Sequence, residues 1–256
     1  MFGWSRTTCP LDPEAKAWVE HRLQWLTGQF ESSAFTDKPV ILPTAEFFPA
    51  PYDGSDRSIQ TLLDQVCEYM EVDPDKIELD LFTAQRNLWF VNETGKPVSS
   101  GPAGTYNENL GKFHIRLDRN QADRPMALVG TMAHELSHAR LLGERRIDRN
   151  VYDHEILTDL TTVFHGFGVF LANIPRNWSG AYTTWPNSEL KKPEYMTPPM
   201  YAYALAHLAW HREETKPIWA KHLRLGARAN LKQAMRYLQV TKDSSFKPWH
   251  ARLGPD

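Results

Sequence analysis

The stretch "VGTMAHELSHARLLG", Val129 to Gly143, sets His134 and His138 four positions apart around Glu135 in otherwise apolar surroundings. On an α-helix, residues i and i+4 stand one turn apart on one face, so two imidazole nitrogens can be aimed at a point about 2 Å from each. Glu135 then lies beside that point. Two neutral imidazoles with a neighbouring carboxylate suit a zinc ion held by the histidines, the glutamate taking a proton from the water that the metal activates. The competing account is a helix face whose histidines are satisfied by backbone or carboxylate partners.

A catalytic zinc takes three protein ligands and keeps one position open for water, so a third ligand has to come from elsewhere in the chain. Beyond His138 the sequence reads Glu155, Ile156, Leu157, Thr158, Asp159, again two carboxylates one helical turn apart. With Glu155 as the third ligand, Asp159 is left to accept the spare N–H of a ligand histidine and fix its tautomer. Asp159, His154 and His165 stay open as alternative ligands. The setting "ILTDLTTVF" is too apolar for a solvated face, and a buried carboxylate needs a metal or a hydrogen-bonded partner.

Amide hydrolysis also needs a donor for the oxyanion formed when water attacks the carbonyl. Tyr201, Tyr203, His207 and His211 follow "YMTPP" on one predicted helix, Tyr203 and His207 being the foremost candidates for this catalytic role. Arg140, Arg145, Arg146 and Arg149 either recognise an acidic substrate or form a solvated loop face. The nine tryptophans serve a core and a cleft lining.

HExxH followed by ExxxD on the next helix resembles the gluzincin branch of the zincin metallopeptidases, the thermolysin-like arrangement. The resemblance runs from Thr131 to Asp159. It implies His134, His138 and Glu155 as Zn²⁺ ligands, Glu135 as general base and Asp159 as the partner of His134. It also implies that "KFHIRLD", just upstream, is an edge strand that pairs with extended peptide substrates. The gap between the two motifs is shorter than in thermolysin-like enzymes. A metzincin pattern would require glycine at 141 and histidine at 144, where the chain has Leu141 and Glu144. The helical tail resembles uncharacterised bacterial proteins with the same "HELSH" and "DHEILTDL" layout, a likeness that adds no known activity to the reading. The function implied is a zinc metallopeptidase acting on a peptide or protein. The alternatives are a zinc hydrolase of another amide, and a non-catalytic zincin-like module with a structural metal.

These residues need elements to hold them. Asp12 and Pro13 form a helix start, with Ala15, Trp18, Val19, Leu23 and Leu26 at helical spacing to about Phe30. Residues 36–53 are proline-rich and predicted to lie extended over the surface, as a connector or part of a cleft wall. A second helix is predicted over 56–70, on the spacing of Ile59, Leu62, Leu63, Val66 and Met70. "KIELDLF", "LWFVN" and "GKFHIRLD" read as strands of a small, largely antiparallel sheet, and 92–111 as a long loop. From residue 125 the chain reads as helices, through "PMALVGTMAHELSHARLLG", "DHEILTDLTTVFHGFGVFLAN" (loosened by Gly166 and Gly168), "MYAYALAHLAW" and "ARANLKQAMRYL", with a linker over 174–199. Strands followed by helices predict one α+β domain over 1–256, zincin-like, with an α/β part to about 145 and a helical part over 150–240.

The 256 residues and 41% hydrophobic content suffice for a sizeable core. A formal charge of −2 gives no global field for nucleic acid or an anionic membrane. Cys9 and Cys67 match no zinc or redox spacing and read as reduced thiols, Cys67 on an apolar helix face. No segment has the apolar length of a membrane span and the first residues carry no export signal, so a cytoplasmic location is expected.

Overall fold

A computed structural model of the chain describes residues 7–31, 33–83, 104–109, 112–174 and 183–247. It is a mixed α and β structure that divides into two compact units, one of Met1–Leu42 with Arg149–Asp256, the other of Pro43–Asp148. Among the described residues no helix is long and apolar enough to cross a membrane. Both cysteines are free thiols, and burial pushes Cys67 up to about 12, as expected of a core thiol.

The unit Pro43–Asp148 contains helices α3 (Asp56–Met70) and α4 (Pro125–His138) and strands β1 (Ile77–Phe82), β2 (Gly104–Asn109) and β3 (Lys112–Asp118). Helix α3 begins where the Ser55 side chain accepts the Ser58 N–H, and it ends at Glu71, whose φ of 56° turns the chain out of the helix. Its apolar stripe, Ile59 through Met70, is buried, and the helix packs on α4. Strand β3 alternates as its sequence requires, with Ile115 and Leu117 wholly buried.

The sheet departs from expectation in two respects. Its order is β1-β3-β2, with β2 antiparallel to β3 (Gly104↔Leu117 to Asn109↔Lys112) but β1 parallel to it (Ile77↔Phe113 to Phe82↔Asp118). "KFHIRLD" is therefore the central strand, with both edges already paired, and among the described residues β2 is an edge. Residues 104–109, expected in a loop, make that edge. "GTYNEN" has weak strand propensity and is held by the β3 ladder rather than by its own pattern. "LWFVN" and the rest of the 92–111 segment lie outside the described residues.

The other unit contains α1 (Pro13–Gln29), α2 (Ser33–Thr36), α5 (His154–Thr162), α6 (Gly168–Asn173), α7 (Pro198–His211), α8 (Leu225–Thr241) and the short strands β4 (Thr183–Thr184) and β5 (Lys191–Lys192). Helix α1 starts as predicted, the Asp12 side chain accepting the Ala15 N–H with Pro13 in the first turn. It packs against α5 and α7, so this N-terminal helix belongs with the C-terminal helices and not with the sheet. Between α5 and α6 the chain kinks through a π-type turn at Gly166, φ 94°. A Cβ there would stand 2.7 Å from the Pro39 carbonyl oxygen, so only glycine fits. Within the predicted linker, β4 and β5 pair antiparallel.

Candidate metal centre

Beyond its first turn helix α4 is buried on all sides, every residue from Leu128 to His138 being out of solvent. An apolar sequence explains this for Leu128, Val129, Met132, Ala133 and Leu136. It does not explain His134, Glu135 and His138, which are only 7%, 4% and 7% exposed. Ser137 and Thr131 on the same helix meet the cost of burial with bonds to backbone, Ser137 to the Ala133 carbonyl at 2.8 Å and Thr131 to the Ala127 carbonyl at 3.1 Å. Ionisable side chains cost more to bury and call for stronger partners. The rings of His134 and His138 lie 4.9 Å apart, centre to centre, and perpendicular, as the i, i+4 spacing on one face permits.

Just past His138 the helix widens into a π-type turn, Ala139–Gly143. Arg140, buried, donates to the Glu71 carbonyl oxygen at 2.6 Å and lies 3.1 Å from Glu144, fastening the end of α4 to the end of α3. Arg146 pairs with Glu144 at 2.7 Å. Two of the four arginines considered for substrate binding thus have internal partners.

Helix α5 carries the second motif. Glu155, in its first turn, is half-buried, with Oε1 at 3.0 Å from His154 Nε2. Asp159, one turn on, is fully buried and its Oδ2 accepts the Met196 amide at 2.9 Å. His165 sits among aromatic rings, edge-on to Phe30 at 4.9 Å and to Phe164 at 5.7 Å, which gives it a packing role.

Two neighbours of α5 carried no signal in the sequence. Asp153 is 1% exposed and receives three hydrogen bonds, from Trp18 Nε1 at 2.7 Å and from Arg22 Nε and Nη2 at 2.7 and 2.8 Å. Lys192 is 6% exposed and donates to the Pro193 carbonyl at 3.2 Å. Burial lowers the Lys192 ammonium against the opposing pull of Asp153, Glu194 and Glu155. A buried lysine or aspartate looks like a surface one until its helix is packed.

Tyr203 and His207 lie elsewhere, in a buried cluster around Glu20 of α1. The Tyr203 hydroxyl donates to Glu20 Oε1 at 2.6 Å, and Ser245 donates to Oε2 from its amide at 2.9 Å and its hydroxyl at 2.7 Å. Lys16 Nζ is 3.1 Å from Oε1. His207 Nε2, at 3.8 Å from Oε1, is beyond hydrogen-bond length. Burial works to raise the Glu20 carboxyl, but His207, Tyr203 and Ser245 outweigh it and hold the group well below the usual carboxylate range.

His211 stacks on His207, ring centres 5.9 Å apart, and burial followed by the charge of His207 brings it down to about 4. An unfolded histidine titrates near about 6.5, so as pH falls the unfolded chain takes up this proton first. Stability is expected to decline between about 6.5 and about 4 and to level off below, with His207, lowered by burial, acting in the same sense. Urea unfolding at a series of pH values checks this, and His211→Phe should flatten that part of the profile.

No protein-family model matches this chain, and the comparisons with curated proteins and with solved structures gave no match.

Proposed function

We propose that the chain is a zinc-dependent peptidase in which His134, His138 and Glu155 hold the metal and Glu135 is the general base. The observation that carries this is the donor set: each of the three offers one ligand atom, and these atoms all lie within 4.8 Å of one another. Donors sharing one ion through bonds of about 2 Å stand roughly 3–4 Å apart. Two imidazoles and one carboxylate, with a position left for water, are the donors of a catalytic rather than a structural zinc. Asp159, whose Oδ2 takes the Met196 amide, orients a ligand imidazole through its remaining capacity.

When bound, zinc supplies Lewis acidity toward a substrate carbonyl and a water molecule. Glu135 would take a proton from the attacking water as its oxygen bonds to the carbonyl carbon, and would return that proton to the amine nitrogen as the C–N bond breaks. Its burial excludes bulk water, which strengthens its charge interactions. Tyr203 and His207, engaged around Glu20, are given no oxyanion role. A peptide is favoured over other amides by β2, which packs against α4 and pairs with β3 on one side only among the described residues. An extended peptide can add to such an edge.

Elemental analysis of zinc-loaded protein should find one equivalent of metal, lost in His138→Ala. The loaded protein should cleave members of a peptide library, and chelator dialysis should stop it until zinc is returned. A chain that takes up no metal would overturn the site, and one zinc without cleavage of any peptide would overturn the peptidase.

A further inference from the structure

An aspartate immediately before a helix ordinarily turns its carboxylate onto the first free N–H groups of that helix. Asp153 does not. It precedes α5 with φ −121° and ψ 21°, and its side chain makes no capping bond. The carboxylate faces α1 instead, where Arg22 grips both oxygens and Trp18, one turn earlier on the same face, adds a third donor. The backbone carbonyl of Asp153 meanwhile accepts the Leu157 N–H at 2.9 Å, so a single residue joins the clamp to the first turn of α5. Glu155 lies in that turn. Forgoing a cap costs helix stability of about 1 kcal/mol, and in return the carboxylate gains bidentate, charge-assisted bonds whose geometry is fixed in direction as well as length.

We infer that Arg22, aided by Trp18, is a positioning residue for Glu155: through Asp153 it sets where the first turn of α5 presents its carboxylate. This rests on the reading of Glu155 as a metal ligand. The consequence is specific. Loss of the clamp leaves all three ligands in the sequence but lets one of them wander, so metal affinity should fall further than general loosening of the fold would explain.

The test measures zinc affinity by competition with a chromophoric chelator, together with the melting temperature of the zinc-free protein. It compares wild type, Arg22→Gln, Trp18→Phe and Arg212→Gln. Arg212 is the control, since it also donates from a half-buried position, but to the Phe35 and Lys38 carbonyls at 2.7 and 2.6 Å rather than to a residue at the start of α5. Arg22→Gln should weaken zinc binding about 10- to 100-fold, and Trp18→Phe by a smaller factor in the same sense. Arg212→Gln should lower the melting temperature with wild-type zinc affinity. Zinc bound by Arg22→Gln as tightly as by wild type overturns the inference, and should that variant not fold, Trp18→Phe decides in its place. An equal loss in Arg212→Gln also overturns it, since the effect would then be general. Wild-type binding that depends on His138 but not on Arg22 sinks this inference alone, whereas wild type that binds no zinc sinks the metal reading along with it.

Discussion

Glu135→Gln is expected to bind zinc as wild type does and to hydrolyse peptides about 10²- to 10⁴-fold more slowly, the usual contribution of a positioned general base. Glutamine is the informative substitution because the residues from Leu128 to His138 are buried without a break. Alanine there would open a cavity, and its cost would mix with any loss of chemistry. Glutamine keeps the volume and a carbonyl oxygen but has no oxygen able to accept a proton near neutral pH. A loss confined to kcat/KM, with one zinc still bound and an unchanged melting temperature, is therefore the signature of a lost base. A scaffold that holds a structural metal has no use for a base at this position. Hydrolysis that persists undiminished in the zinc-loaded glutamine variant would remove Glu135 from the mechanism.

Much of what holds the candidate site could be read from the chain because local rules and packing agree there. Asp12 and Pro13 start α1, an apolar stripe defines α3, and the helix bearing His134 and His138 ends near Gly143, as its composition dictates. Gly166 was visible as a weak point, and only the packed structure shows that the Pro39 carbonyl demands it. What could not be read depends on partners distant in sequence. Strand β2 is a poor strand by composition and exists through its ladder with β3. Nor does the composition of β1 or β3 carry the parallel pairing of these two strands, which lie side by side while β2, between them in the chain, lies on the other side of β3. Asp153 and Glu20 have no evident partner in the sequence, and each becomes the centre of a buried network only when α1 meets α5 and α7. The same contact drew Tyr203, in sequence a plausible oxyanion donor, into hydrogen bonding with Glu20.

Glu20→Ala is expected to destabilise the fold by about 3–5 kcal/mol, the range for removing one partner of a buried charged network. Glu20 is 2% exposed and gathers donors from three parts of the chain: Lys16 on its own helix, Tyr203 on α7, and Ser245 beyond α8. Alanine strands the Tyr203 hydroxyl in the interior, away from water, and unties Ser245 from α1. Tyr203→Phe removes one donor and leaves the carboxylate its other partners, so its cost should be smaller, about 1–3 kcal/mol. Because the two residues share one hydrogen bond, the double variant should cost less than the two single losses added together. The sign of the pH dependence follows from the depressed Glu20 carboxyl. Its contribution is fully present above the unfolded value of about 4.3 and is lost progressively as pH falls below it. Unfolding curves of wild type and Glu20→Gln should therefore lie furthest apart near neutral pH and draw together in acid. A constant separation down to the acid limit would mean that Glu20 acts through packing and not through its charge, and the network would have to be read as a neutral one.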